Sequence, residues 1–225
     1  ALMTPSAPAV PGPVVPAPAP APSKPHHHHK PKPKPPAQPA GPTSQQLFAS
    51  RQSWYISQYY SSKFNSREDV PGIDNANCGP TSLTMVATAF GKINPSAGQA
   101  DAAIEKSRKL MGDGNDQRHG TSCEGIARGA RAYGLDAKVM SNIHLDDIKR
   151  ELAKGRLPII NGNYIRANLT QGGGHFYVVT KIEGNKAYLN DPAIPSGPRV
   201  VSTSVLMSSI WNHFGHTMIS VGPGR

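Results

Sequence analysis

Residues 77–86 read NCGPTSLTMV, and the local structure of this stretch decides how the rest is understood. Leu83, Val86, Ala87 and Phe90 fall at i, i+3, i+4 and i+7, the single apolar stripe of a helix predicted from Cys78 to about Phe90. Asn77 suits the N-cap, and Pro80 falls in the first turn, where its missing N–H costs nothing. Gly91 follows as a stop. Cys78 therefore opens a helix. Unpaired N–H groups and about half a positive charge gather there. Both favour thiolate over thiol, and the same N–H groups can hold an oxyanion. The competing reading is a cysteine that acts as a small buried hydrophobe.

Downstream, a helix is predicted over residues 98–111, then a polar loop, MGDGNDQRHG. Thr121 and Glu124 have the spacing of a capping box for a helix that runs to Tyr133 and stops at Gly134. A short helix from Leu145 to Lys154 ends at Gly155, and the strand LPIING follows. A Gly-rich turn, Gly172 to Gly174, leads into an apolar strand from His175 to Ile182. A turn at 183–185 joins it to the strand Lys186 to Asn190. Helices come early and strands late, so the class is α+β. His175 opens one arm of this hairpin and Asp191 closes the other, which sets an imidazole beside a carboxylate. That is the base and orienter half of a nucleophilic triad. Taken singly, His175 is also readable as a hydrogen-bonded strand end and Asp191-Pro192 as a turn starter.

Upstream, the composition changes. Of the 23 prolines in this chain of 225 residues, 15 fall in residues 1–45, among Ala, Lys and His. Such a segment prefers extended polyproline II and cannot bury a core, so residues 1–45 are expected to be a disordered linker. Residues 46–225 are expected to form one domain, long enough for a core. Because the chain opens on Ala1, a processed or trimmed product is expected. Aromatic density begins in residues 46–60, QLFASRQSWYISQYY, and residues 61–76 read as loop. The formal charge is +10, of which Lys24, Lys30, Lys32 and Lys34 supply four. With few aromatics and no dense Lys/Arg run, nucleic-acid binding is not expected; a solvated surface or attraction to an anionic wall or membrane surface is. No apolar run is long enough to span a bilayer.

Two cysteines exclude a disulfide scaffold and a four-cysteine zinc site. Cys123 reads as a free, half-buried helix residue. The oxygens of Asp113 to Asp116 lack the spacing of an EF-hand, and His119, His144, His213 and His216 form no zinc pattern. Neither a metal nor a cofactor is expected.

The segments NCGPTSLTMV, GGGHFYVVTKI (172–182) and YLNDPA (188–193) together resemble the core motifs of papain-like cysteine peptidases related to the bacteriocin-processing, double-glycine leader peptidases. Between them, residues 120–139 resemble the family's middle helix, and residues 145–160 its unit of helix, glycine and apolar strand. The likeness covers roughly residues 54–221. It implies a papain-like fold with N-terminal helices packed on a C-terminal antiparallel sheet. It also implies Cys78 as nucleophile, His175 as general base and Asp191 as orienter. One family feature departs: the oxyanion glutamine usually lies about six residues before the cysteine, where this chain has Gly72. Gln58, in YISQYY, is the first candidate for that role if residues 61–74 are an insertion; Asn75 and Asn77 are the alternatives. The resulting expectation is a monomeric cysteine peptidase acting on a peptide or protein, secreted or associated with the cell envelope. An amidase or isopeptidase on cell-wall or modified peptides is the second reading, and a catalytically weak peptide-binding pseudo-enzyme the third.

Overall fold

The computed structural model describes residues 41–60, 77–112, 115–116, 120–166, 169–210 and 215–224. The tail up to residue 40 and the loop expected over 61–76 lie outside them. Helix α1 (Ser44–Ala49) straddles the expected boundary at 45/46. Thr43 starts it early: its hydroxyl accepts from the Gln46 N–H, and the Gln46 side chain accepts from the Thr43 N–H.

Helix α2 (Cys78–Ala89) is more deeply set than one apolar stripe suggests, because every residue from Cys78 to Ala87 is buried. Two of its polar residues bond inward. Ser82 donates to the Phe176 carbonyl at 3.2 Å, and Thr84 shares a 2.7 Å hydrogen bond with Ser107. Helices α3 (Ala100–Met111, preceded by a 3-10 turn at Ala97–Gln99) and α4 (Cys123–Ala132) pack against it. Gly129 permits this approach: a Cβ there would lie 2.5 Å from the Leu83 side chain and 3.0 Å from that of Met111. The cap of α4 is Ser122, not Thr121. Thr121 is committed to a two-stranded ribbon, β1 (Asn115–Asp116) with β2 (Gly120–Thr121), and the Ser122 hydroxyl accepts from Gly125 N–H at 3.0 Å.

A six-stranded antiparallel sheet forms the other half. Its strands are β3 (Leu135–Met140), β4 (Leu157–Arg166), β5 (Leu169–Glu183), β6 (Lys186–Asn190), β7 (Arg199–Ser202) and β8 (Met218–Pro223). Their order is β3-β8-β4-β5-β6-β7, so β8 lies between β3 and β4. Helices α5 (Leu145–Ala153) and α6 (Thr203–Ser209) accompany it. Both faces are covered at the interior strands β4, β5 and β8, which explains why these read as continuous apolar runs, whereas β3 alternates buried and exposed residues. Phe176, Val178, Ile159 and Ile219 join the core around α2, α3 and α4. Their neighbours Tyr177, Val179, Ile160 and Met218 join a second core with Ile148 of α5 and Leu206 of α6.

The expected turn at Gly172 to Gly174 is instead part of β5. Asn163 pairs with Gly174 but Tyr164 pairs with Gln171, so Gly172 and Gly173 are extra residues in a β-bulge. No helix among the described residues is long and apolar enough to cross a membrane.

Candidate active site

Cys78 is the first residue of α2 and is 4 % exposed. Asn77 precedes it as the N-cap, but its side chain makes no capping bond. The Asn77 amide instead donates to the Gln58 carbonyl at 3.3 Å and accepts from the buried Arg108 guanidinium, itself paired with Glu105. The residue after the cysteine has to be small: a Cβ on Gly79 would lie 2.3 Å from the Thr121 side chain.

His175 enters from β5, just after the bulge, and its side chain has no exposed surface. The β5–β6 pairing carries the Asp191 carboxylate to it, and Asp191 Oδ1 lies 2.7 Å from His175 Nε2. Oδ1 also accepts from the Ala193 N–H at 3.0 Å, and Oδ2 lies 3.5 Å from the Arg199 guanidinium. Burial alone disfavours the imidazolium, but the Asp191 charge and hydrogen bond, joined by Cys78, raise the His175 pKa from 6.5 to about 9. With Nε2 committed to Asp191, the buried Nδ1 has no hydrogen-bond partner and is the ring nitrogen left for the neighbouring Cys78 thiol. The imidazole is thus buried against a cysteine, a contact that the hairpin argument alone did not supply.

Gln58 lies in a 3-10 turn, Gln58–Tyr60, and is buried. Twenty residues separate it from Cys78 in sequence, yet it reaches the same place. The Gln58 Oε1 is buried without a hydrogen-bond partner among the described residues, and the neighbouring Tyr164 phenol is pushed up first by burial and then by the Cys78 charge. Asn75 lies outside the described residues. Asn77 is near, but its amide is engaged by Arg108 and by the Gln58 main chain.

Sequence reasoning missed several residues around the site. Tyr164 stacks on the His175 ring with centroids 4.1 Å apart and planes 17° from parallel. The Tyr55 hydroxyl donates to the carbonyls of Asp191 and Ile194. Arg199 and Arg108 carry no motif that would mark them in the sequence. Cys123 is half-buried at the start of α4. The Asn161 amide donates to its sulfur at 3.5 Å, and burial pushes its thiol up to about 11. A cavity of about 620 Å³ between α1, α5 and β5 is lined by Phe48, Leu152 and Lys181 among others, and none of the candidate residues belongs to it. Among the described residues, no cluster of three or more His, Cys, Asp or Glu side chains could hold a metal ion.

A search of the curated proteins found no match. Among solved structures, a putative C39-like peptidase from Bacillus anthracis is similar at 15 % identity over 76 % of this chain and 94 % of that one, with a TM-score of 0.51. The peptidase domain of Streptococcus ComA, a bi-functional ABC transporter, aligns at 23 % identity over 68 % of this chain and 96 % of that one, with a TM-score of 0.46. A double glycine motif protease from an AMS/PCAT transporter, solved with a leader peptide, aligns at 25 % identity over 67 % and 86 %, with a TM-score of 0.48. The first of these establishes a shared fold, the papain-like arrangement of helices on an antiparallel sheet. The model of the Peptidase_C39 like family matches residues 55–219, which takes in strands β3 to β7, the first two residues of β8 and the helices from α2 to α6. The chain belongs to the Peptidase_C39 like family and is a cysteine peptidase.

Proposed function

We propose that the protein hydrolyses a peptide bond with Cys78 as nucleophile, His175 as acid and base, and Asp191 as the group that orients the imidazole. The observation that carries this reading is the 2.7 Å contact between His175 Nε2 and Asp191 Oδ1, buried beside a cysteine at a helix N-terminus. The Cys78 thiolate attacks the carbonyl carbon, and its electrons move onto the carbonyl oxygen. The Cys78 main-chain N–H and the Gln58 amide hold that oxyanion. When the C–N bond breaks, His175 Nδ1–H gives its proton to the leaving amine, and a thioester remains on Cys78. Nδ1 then takes a proton from water, which attacks the thioester and releases the acid. The thiolate and imidazolium are restored. Asp191 stays ionised throughout.

Gln58 is favoured over Asn77 as the oxyanion donor because the Asn77 amide is already engaged by Arg108 and the Gln58 carbonyl. The Pro- and Lys-rich composition of residues 1–45 supports secretion or attachment to the cell envelope.

The test is acid quenching during turnover of a peptide, followed by mass spectrometry of the intact protein. An acyl adduct on Cys78, absent from Cys78→Ala together with all turnover, is the expected result. Turnover by Cys78→Ala at the wild-type rate overturns the reading. Cleavage of purified cell wall but not of casein would transfer the same chemistry to an amidase.

A further inference from the structure

Tyr164 sits on β4 opposite Gln171, at the edge of the bulge that precedes His175. Its ring lies flat against the imidazole, 4.1 Å between centroids and 17° from parallel. We propose that Tyr164 is a positioning residue, whose ring fixes the His175 imidazole between Cys78 and Asp191. This inference rests on the role proposed above for His175.

The ring has three effects on the imidazole. A flat neighbour at this distance blocks rotation of His175 about Cβ–Cγ, which would exchange Nδ1 and Nε2 between Cys78 and Asp191. The negative face of the phenol ring favours imidazolium over neutral imidazole. Contact along the whole ring keeps water from the His175–Asp191 bond, and His175 is indeed unexposed.

Burial pushes the Tyr164 phenol well above its usual range, so the ring against the imidazole stays neutral. The charged and titratable groups facing the imidazole are Asp191 beyond β6, Cys78 on α2 and Tyr177 on β5, with Arg199 of β7 acting through Asp191.

The experiment compares wild type with Tyr164→Phe and Tyr164→Leu. The readouts are melting temperature, kcat and KM on one fluorogenic peptide, and the NMR titration of the 15N-labelled His175 ring. Tyr164→Phe keeps the stack and should keep the His175 midpoint. Tyr164→Leu loses the ring, and its kcat should fall roughly tenfold with KM little changed, because the imidazole is no longer held in line. Its His175 midpoint should fall from about 9 toward 6.5, because hydration removes a perturbation that is upward on balance. A wild-type midpoint in Tyr164→Leu, or a midpoint that falls as far in Tyr164→Phe, overturns the proposal. If Tyr164→Leu does not fold, the near-isosteric Tyr164→Phe decides alone: a retained midpoint supports the proposal, and a fall toward 6.5 refutes it. Turnover by Cys78→Ala would instead refute the proposed function, whatever the Tyr164 variants do.

Discussion

The main-chain N–H of Gln58 donates to the carbonyl of Pro192 at 2.9 Å, so the oxyanion candidate is tied to the turn that carries Asp191. Two further bonds run in parallel. The Tyr55 hydroxyl donates to the Asp191 carbonyl at 3.1 Å, and the Asn190 amide donates to the Arg51 carbonyl at 2.9 Å. The position of Gln58 is therefore set by the hairpin end and not by its separation from Cys78 along the chain. Gln58→Ala should leave this main-chain bond and the fold intact. Its kcat should drop by about 10²–10³, with KM little changed. Steady-state kinetics on one peptide check this; wild-type kcat would remove Gln58 from the oxyanion site.

Asp191→Asn tests the proton balance. The carboxylate is the principal group raising His175, so the variant's imidazole should titrate below about 9. The alkaline limb of the pH–rate profile should move to lower pH, with a partial loss of kcat, since asparagine can still accept from Nε2–H. The linkage has a definite sign. A raised folded-state pKa contributes stability that is full below 6.5 and is lost as pH rises through about 9. Wild type should lose melting temperature across that window more than Asp191→Asn does. Melting curves at pH 6, 8 and 10 measure it.

Cys123 provides a control within the same molecule. Its thiol, pushed up to about 11 by burial, is protonated at neutral pH and receives the Asn161 amide. Cys123→Ser should keep most of the activity, and iodoacetamide at neutral pH should label Cys78 first. Peptide mapping of a partially alkylated sample reads this directly. Label on Cys123 first would contradict the assignment.

Glu151 predicts the acid limit of the fold. It is 1 % exposed and sits among Lys154 at 2.8 Å, Lys138 at 3.1 Å, Arg156 at 3.1 Å and the Ser220 hydroxyl at 2.6 Å. Burial pushes its carboxyl up, but the bonds from Lys154, Ser220 and Lys138 prevail and bring it down from 4.5 to about 2. A depressed carboxylate stabilises the fold above its unfolded value, and that contribution fades as pH falls from about 4.5 toward 2. The amount is on the order of 3 kcal/mol. Glu151→Gln should melt several degrees below wild type at pH 7, with the difference shrinking by pH 3. An equal gap at both pH values would show that packing, not charge, holds this corner.

Local signals in the chain were legible and distant ones were not. Cys78 at a helix start and His175 and Asp191 on one hairpin follow from spacing within about twenty residues. The α+β class follows from helices early and strands late, and the papain-like resemblance from three short motifs. The depth of α2 was not readable, because Ser82 and Thr84 look like a polar face until their partners on β5 and α3 are known. Gly172 to Gly174 has a turn's composition. It forms a bulge because β4 continues past it to Arg166 and holds the segment in the ladder. Tyr164 had no signal at all, since stacking on His175 depends on the register of β4 against β5 and not on either sequence alone.

The interior place of β8 has a consequence for the order of events when the chain is made. Met218–Pro223 pairs with β3 on one side and β4 on the other, so these two strands meet no hydrogen-bonding partner across that gap until residue 223 has left the ribosome. Leu135 must wait for a partner 88 positions later, Pro223. Such distant pairing slows folding and delays it past synthesis of the α2–α4 helices. A nascent chain would carry the cysteine and its helix well before the sheet that supplies the imidazole is closed. Ile219 and Val221 of β8 belong to the core around α2, so that core is the last to close.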